Sequence, residues 1–210
     1  MIRVGIVDDH AIVRTGLRQF LSEHVDLRLV GEAANGREAI DLVRTTPMDV
    51  LVMDLSMPGQ SGIDALAMIR AKAPDVAILI LSGYPPQHYA ASLVRQGASG
   101  YLSKDCDPQE IVEAIRTVAL GRRHLSPAVA QALAQAPGSP PDAPPHAQLS
   151  EREFQVFLKL AQGRTAGEVA DALSLSVKTV STYRTRLLEK LRLASNSDLT
   201  YYALKHGLID

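Results

Sequence analysis

Along the first 120 residues, short apolar runs alternate with segments whose apolar residues recur every three or four positions. The runs Ile2–Val7, Leu27–Glu32, Val50–Met53, Val76–Leu81 and Gly100–Leu102 are rich in β-branched residues, which predicts strands. The segments Ala11–Glu23, Gly36–Arg44, Ile63–Lys72, Gln87–Gln96 and Pro108–Leu120 carry the helical period. A strand–helix unit repeated five times folds most economically as parallel strands joined by right-handed helical crossovers, an α/β arrangement. Val50–Met53 and Val76–Leu81 are apolar at every position, as strands covered on both faces should be.

The pattern stops at Gln135–Gln148, QAPGSPPDAPPHAQ, which holds five of the chain's twelve prolines. Proline fixes φ and removes donors, and no apolar cluster is available there, so this stretch reads as a semi-extended linker. A short helix before it, Ser126 to Gln135, has Ser126 as cap and Pro127 in the first turn. The expected division is therefore 1–125, a connection at 126–148, and a second domain at 149–210. That second domain is helical throughout. Ser150 and Glu153 form a capping-box pair for a helix ending at Gly163, and Thr165–Leu173 follows. Ser176 caps a longer helix to Leu191, and a last one starts at Ser195 or Asn196 and ends before Gly207.

Composition narrows the class. Apolar residues make up 46% and charged residues 21%, as in a soluble globular protein. The single cysteine, Cys106, allows no intrachain disulfide and fits a reducing compartment; it reads as a passive small residue. No apolar run approaches the roughly 20 residues of a membrane span, so a cytoplasmic protein without membrane contact is expected. Net charge is −1, but its distribution is uneven. Residues 1–120 have a net charge of −4, whereas Ser176–Arg192 has five basic residues and one acidic residue. A locally basic helix is an electrostatic footprint for phosphate, although charge alone also describes a solvated helix face.

Ligands of open α/β sheets bind beyond the carboxyl ends of the strands, and the polar residues collect there. Asp8 and Asp9 follow the first strand, Asp54 the third, Ser82 the fourth, and Lys104 lies just past the fifth. Single aspartates after strands are common turn-formers. Five such groups at matching strand ends point instead to a site. Three close carboxylates suit a hard divalent cation such as Mg²⁺. A carboxylate can attack phosphorus to form an aspartyl phosphate, with metal and lysine neutralising charge on the transferring group. Asp54, ending a central strand, is the best nucleophile. A glycine-rich phosphate loop would favour a nucleotide-binding enzyme, but Asp8-Asp9-His10-Ala11 has no glycine.

Residues 1–120 resemble the receiver domain of two-component signalling, through VDDH (Val7–His10), DLSMPGQSG (Asp54–Gly62), Leu81-Ser82 and YLSK (Tyr101–Lys104). The resemblance implies a flavodoxin-like (βα)5 fold with Asp54 as the phosphoacceptor. It implies Mg²⁺ held by Asp9 and Asp54, by Asp8 through water, and by the backbone carbonyl of Ser56. Ser82 and Tyr101 match the hydroxyl and aromatic switch positions, though core packing alone would also account for Tyr101. Two departures stand out. Asp105 follows Lys104 where many receivers have proline, so no cis peptide is expected there. Pro85 and Pro86 stiffen the loop that should shift.

On a helical wheel of about 100° per residue, Val177, Val180, Leu187, Leu188 and Leu191 share one side of the basic helix. Lys178, Ser181, Thr182 and Thr185 lie opposite, with Arg186 flanking. An amphipathic surface helix without a ligand would show this pattern too. The wider sequence is more specific: LS-x-RE, the AQG turn, EVA and S-x-KTV within Leu149–Leu191 resemble the LuxR-type helix-turn-helix of NarL/FixJ-family response regulators. KTVSTYRTRLLEKL is similar to the GacA/UvrY-like and BvgA-like branch. The resemblance implies a four-helix DNA-binding domain, with Ser181, Thr182 and Thr185 facing bases and Lys178, Thr179 and Arg186 contacting phosphates. It also implies a sensor histidine kinase, a homodimer formed on phosphorylation, promoter DNA with an inverted repeat, and room for contact with RNA polymerase. The output is then DNA binding rather than catalysis. The rival is a regulator that binds DNA independently of phosphate and uses its receiver only to dimerise.

Overall fold

The computed structural model describes residues 1–57, 62–83, 86–134, 145–173 and 175–209. The chain divides into two compact units, Met1–Ala136 and Pro137–Asp210.

The first unit holds strands β1 (Ile2–Val7), β2 (Leu27–Ala33), β3 (Val50–Met53), β4 (Ala77–Ser82) and β5 (Gly100–Ser103). Between and after them run helices α1 (Ala11–Ser22), α2 (Gly36–Thr45), α3 (Gly62–Lys72), α4 (Pro86–Arg95) and α5 (Pro108–Ala119). The strands form one parallel sheet in the order β2-β1-β3-β4-β5. β3 is buried at every residue, as its unbroken apolar run requires. Val4, Ile6, Val50, Val52, Leu79 and Leu81 pack on Leu17, Leu21, Val112, Ile115 and Val118 to form one core. The strand order reverses between β1 and β3, so a crevice opens beyond their carboxyl ends. The one-residue shift of β4 from its predicted range carries Ser82 into the sheet, opposite Ser103 of β5. Helix α6 (Pro127–Ala134) packs on α4, with Ser126 Oγ accepting from the Val129 amide. No cis peptide occurs among the described residues. The Tyr84-Pro85 pair and most of the proline-rich stretch lie outside them.

The second unit holds α7 (Glu151–Ala161), α8 (Ala166–Leu173), α9 (Val177–Leu191) and α10 (Asn196–Lys205). Phe154, Phe157, Leu160, Val169, Val180, Leu187, Leu191, Leu199 and Ala203 form its core. Ser150 and Glu153 make the expected capping box, and a second one joins Ser195 and Asp198. Glu153 also accepts from Lys190 at 2.7 Å, tying α7 to α9. Two features differ from expectation. Pro145–Gln148 is a 3₁₀ turn rather than extended chain, because the buried His146 ring packs against Phe154 and Tyr202, with Nδ1 2.9 Å from the Tyr202 hydroxyl. Val177, placed by the wheel on the buried side, is 53% exposed at the first residue of α9, whereas Val180 one turn on is fully buried.

Candidate functional site

Backbone pairing brings the acidic residues together. The Asp54 amide donates to the Val7 carbonyl at 2.8 Å, which sets Asp54 beside Asp8 at the crevice. The Lys104 amide donates to the Ser82 carbonyl at 2.9 Å, which sets the lysine beyond β4 and β5. Lys104 Nζ then reaches across to Asp8 Oδ2 at 2.6 Å and Asp54 Oδ2 at 3.0 Å. Asp8 and Asp54 are both buried, and Asp9 is half-buried. Asp54 Oδ1 accepts from the Leu55 amide at 2.7 Å, and the Ser56 amide also points to this carboxylate. Asp54 Oδ2 lies within ion-pair range of Lys104 but has no directed hydrogen bond, and it is buried. Asp9 Oδ1 is likewise buried without one.

Burial pushes the Asp54 carboxyl above its ordinary value; Lys104 counteracts this and Asp8 adds to it. Burial disfavours the Lys104 charge, yet Asp54 and Asp8 prevail and raise its pKa. The ligand atoms of Asp8, Asp9, His10 and Asp54 all lie within 4.8 Å of one another. The clustered carboxylates and one ammonium make a donor set that fits a hard cation and an incoming anion. Ser82 is fully buried at the carboxyl end of β4, and Tyr101 is turned inward with 4% of its surface exposed. Cys106 is half-buried, and burial together with Glu110 pushes its thiol up, away from the reactive thiolate.

Three residues that sequence reading did not single out shape this site. His10 Nδ1 lies 2.9 Å from Asp9 and 3.1 Å from Asp8. Arg14 donates to the Asp8 carbonyl at 2.6 Å. Gly62 opens α3 against the backbone of Asp54 and Leu55, where no Cβ fits. The glycine was visible in the motif; its contact with Asp54 was not.

A second candidate site lies on α9. Lys178, Ser181, Thr182, Thr185 and Arg186 are exposed along one side. Thr179 is half-buried and also serves the cap, its amide and hydroxyl both meeting Ser176 Oγ. Lys178, Thr179, Thr182, Tyr183 and Arg186 line a surface cavity of about 270 Å³. The basic residues differ in freedom. Arg184 is held by Asn196 at 2.6 Å and Lys190 by Glu153, whereas Lys178 and Arg186 have no partner among the described residues. On α10, Leu199 and Ala203 face the core, Tyr202 meets His146, and Tyr201 and Leu204 are exposed.

Comparison with known proteins agrees with this division. Residues 4–116 match the response regulator receiver domain family, and residues 147–203 match the bacterial regulatory proteins of the luxR family. The chain is 41% identical to response regulator UvrY of Escherichia coli K12 over 209 residues, covering 99% of this chain and 96% of the relative. It is 38% identical to response regulator GacA of Pseudomonas aeruginosa over 211 residues, covering 100% and 99%. Among solved structures it resembles RcsB of Salmonella enterica serovar Typhimurium bound to promoter rprA in the presence of the phosphomimetic BeF3⁻. That match has a TM-score of 0.70 and 26% identity, covering 96% of this chain and 98% of RcsB. With an acidic crevice at the switch point of a parallel sheet and a basic-faced helix in a LuxR-type unit, the chain belongs to the NarL/FixJ family of response regulators.

Proposed function

We propose that phosphorylation of Asp54 by a sensor histidine kinase controls dimerisation and sequence-specific binding of promoter DNA by residues 149–210. The receiver is residues 1–125, and 126–148 connect the two, ending in the docked turn at Pro145. The observation that carries the switch is the buried Asp54 carboxylate, whose Oδ2 lies 3.0 Å from the Lys104 ammonium. That oxygen attacks phosphorus; the bond from phosphorus to the donor nitrogen of phosphohistidine breaks as the new P–O bond forms. Lys104 neutralises the phosphoryl oxygens and Ser82 supplies a hydroxyl at the same strand edge. Asp9, Asp54, the Ser56 carbonyl and, through water, Asp8 would hold Mg²⁺, which supplies charge neutralisation on the transferring group when bound. Ser82 and Tyr101 then pass the change to the surface of the receiver, as a shift between two populations.

In the second unit, Ser181, Thr182 and Thr185 face bases, and Lys178, Thr179 and Arg186 contact phosphates. The RcsB complexes, one of them described as two dimers on two parallel DNAs, support reading this protein as a homodimer on duplex DNA. The protein acts in the cytoplasm with DNA binding as its output; any phosphotransfer it assists is its own. RNA polymerase is a further partner of this role.

The test is mass spectrometry of the chain incubated with acetyl phosphate and Mg²⁺, with parallel sizing and gel-shift assays, beside Asp54→Ala. The expected result is a phosphoryl adduct absent from the variant, accompanied by a shift to dimer. No adduct with DNA binding intact would favour the phosphate-independent regulator.

A further inference from the structure

The three hydroxyls on the exposed side of α9 are already committed. Ser181 Oγ donates to the Val177 carbonyl at 2.9 Å, Thr182 Oγ1 to Lys178 at 3.0 Å, and Thr185 Oγ1 to Ser181 at 3.1 Å. A hydroxyl has one hydrogen to give, so each of these oxygens faces outward only as an acceptor. Thr182 and Thr185 are both exposed, and with each Oγ1 turned back onto its own helix the methyl is the other group each can offer. The exposed Val177 isopropyl group stands one turn before Ser181, at the amino-terminal end of the same helix. The face that sequence alone suggests is a row of donors is therefore apolar methyls interspersed with acceptors.

We propose that α9 selects A·T over G·C pairs by apolar contact of Val177, Thr182 and Thr185 with thymine methyl groups; this rests on α9 being the helix that enters a major groove. An A·T pair presents there the thymine C5-methyl and the adenine amino donor. The methyls of this face match the first, and its acceptor-only oxygens match the second. The guanine edge offers two acceptors, which none of these side chains can satisfy without giving up its bond to the helix. The unpartnered cations Lys178 and Arg186 lie one turn before and one turn after Thr182 on the same ridge; under the proposed function they are taken up by phosphates.

The experiment uses the full chain, with and without acetyl phosphate and Mg²⁺, to select binders from a random duplex library. The best retained duplex is then remade with uracil replacing thymine one position at a time, which removes one methyl and nothing else. Affinity should fall about fourfold per contacted methyl. Thr182→Ser and Thr185→Ser keep the oxygen and lose the methyl, so each should bind the thymine duplex more weakly and lose discrimination at one position. Thr182→Val keeps the methyl, replaces the hydroxyl by a second one, and should keep that discrimination. Equal binding of uracil and thymine duplexes at every position would overturn the inference while leaving DNA binding intact. So would serine variants that retain the full thymine preference. Failure to retain any duplex under either condition would overturn both this inference and the DNA-binding reading.

Discussion

Gly62 lies so close to the backbone carbonyl of Asp54 that a Cβ there would collide with it. The Gly62 amide also donates to the Leu55 carbonyl at 3.2 Å. The start of α3 is thus braced on the residue proposed to accept the phosphoryl group. Gly62→Ala must displace backbone rather than a flexible side chain. The receiver should lose about 1–3 kcal/mol of stability, and its acceptance of phosphate from acetyl phosphate should slow. Urea unfolding and the phosphorylation time course check this. Unchanged stability and rate would mean the helix start is free to move.

The contrast with the rest of the site shows what a sequence carries. β3 and β4 were legible because strands buried on both faces are written as unbroken apolar runs, the other three strands by their β-branched residues, and the convergence of Asp8, Asp9, Asp54, Ser82 and Lys104 follows from topology alone. Gly62 was not legible as a brace, since a close backbone approach leaves no hydrophobic signal. Val177 misled the wheel, which records direction around the helix but not whether another element covers its first residue. His146 was read as linker because a histidine among prolines announces no core; its burial depends on Tyr202, 56 residues away.

Asp54 should weaken the fold it serves. A carboxyl whose pKa is raised on folding favours the folded state only when protonated, so at neutral pH its charge costs stability. Asp54→Asn should therefore raise the receiver melting temperature by a few degrees in metal-free buffer. Addition of Mg²⁺ should raise the wild-type value more than that of the variant, because binding to the folded state stabilises it by mass action. Thermal scans with chelator and with Mg²⁺ decide. A variant that gains as much from Mg²⁺ as the wild type would remove Asp54 from the ligand set.

The DNA-binding unit has its own pH dependence. Burial works against the Glu153 charge, but Lys190 and the amide and hydroxyl of Ser150 outweigh it and hold this carboxyl below its usual 4.5. A depressed carboxyl pKa stabilises above the unfolded value and loses that contribution as pH falls through the folded one. Wild type should exceed Glu153→Gln by about 1–2 kcal/mol at neutral pH. The gap should begin to close below pH 4.5 as the carboxyl protonates. Denaturation of both proteins across that range checks it; a gap independent of pH would assign the stability to packing rather than charge.

Arg192 ends α9 in the left-handed region, at φ 56° and ψ 45°, where glycine is the usual choice. A Cβ in that conformation costs about 1–2 kcal/mol. Arg192→Gly should be more stable than Arg192→Ala by about 1 kcal/mol, with the loss of charge common to both. The comparison is read from urea midpoints. Equal midpoints would show that the turn relaxes without strain once the arginine is gone.

Charge on α9 divides by what each residue already holds. Arg186 is unpartnered among the described residues and lines the surface cavity with Lys178, whereas Arg184 is tied to Asn196 and Lys190 to Glu153. A cation that neutralises a phosphate releases counterions, so its removal should flatten the dependence of log affinity on log salt by about one unit. Arg186→Ala should do this and weaken binding uniformly across duplex sequences, leaving the melting temperature unchanged. Lys190→Ala should do the reverse, lowering stability with little effect on the salt slope, since its charge serves Glu153. Gel-shift titrations at several salt concentrations separate the two. If the slope changed with Lys190 and not with Arg186, the opposite side of α9 would face the duplex. The hydroxyl-and-methyl surface would then lose its place in base recognition.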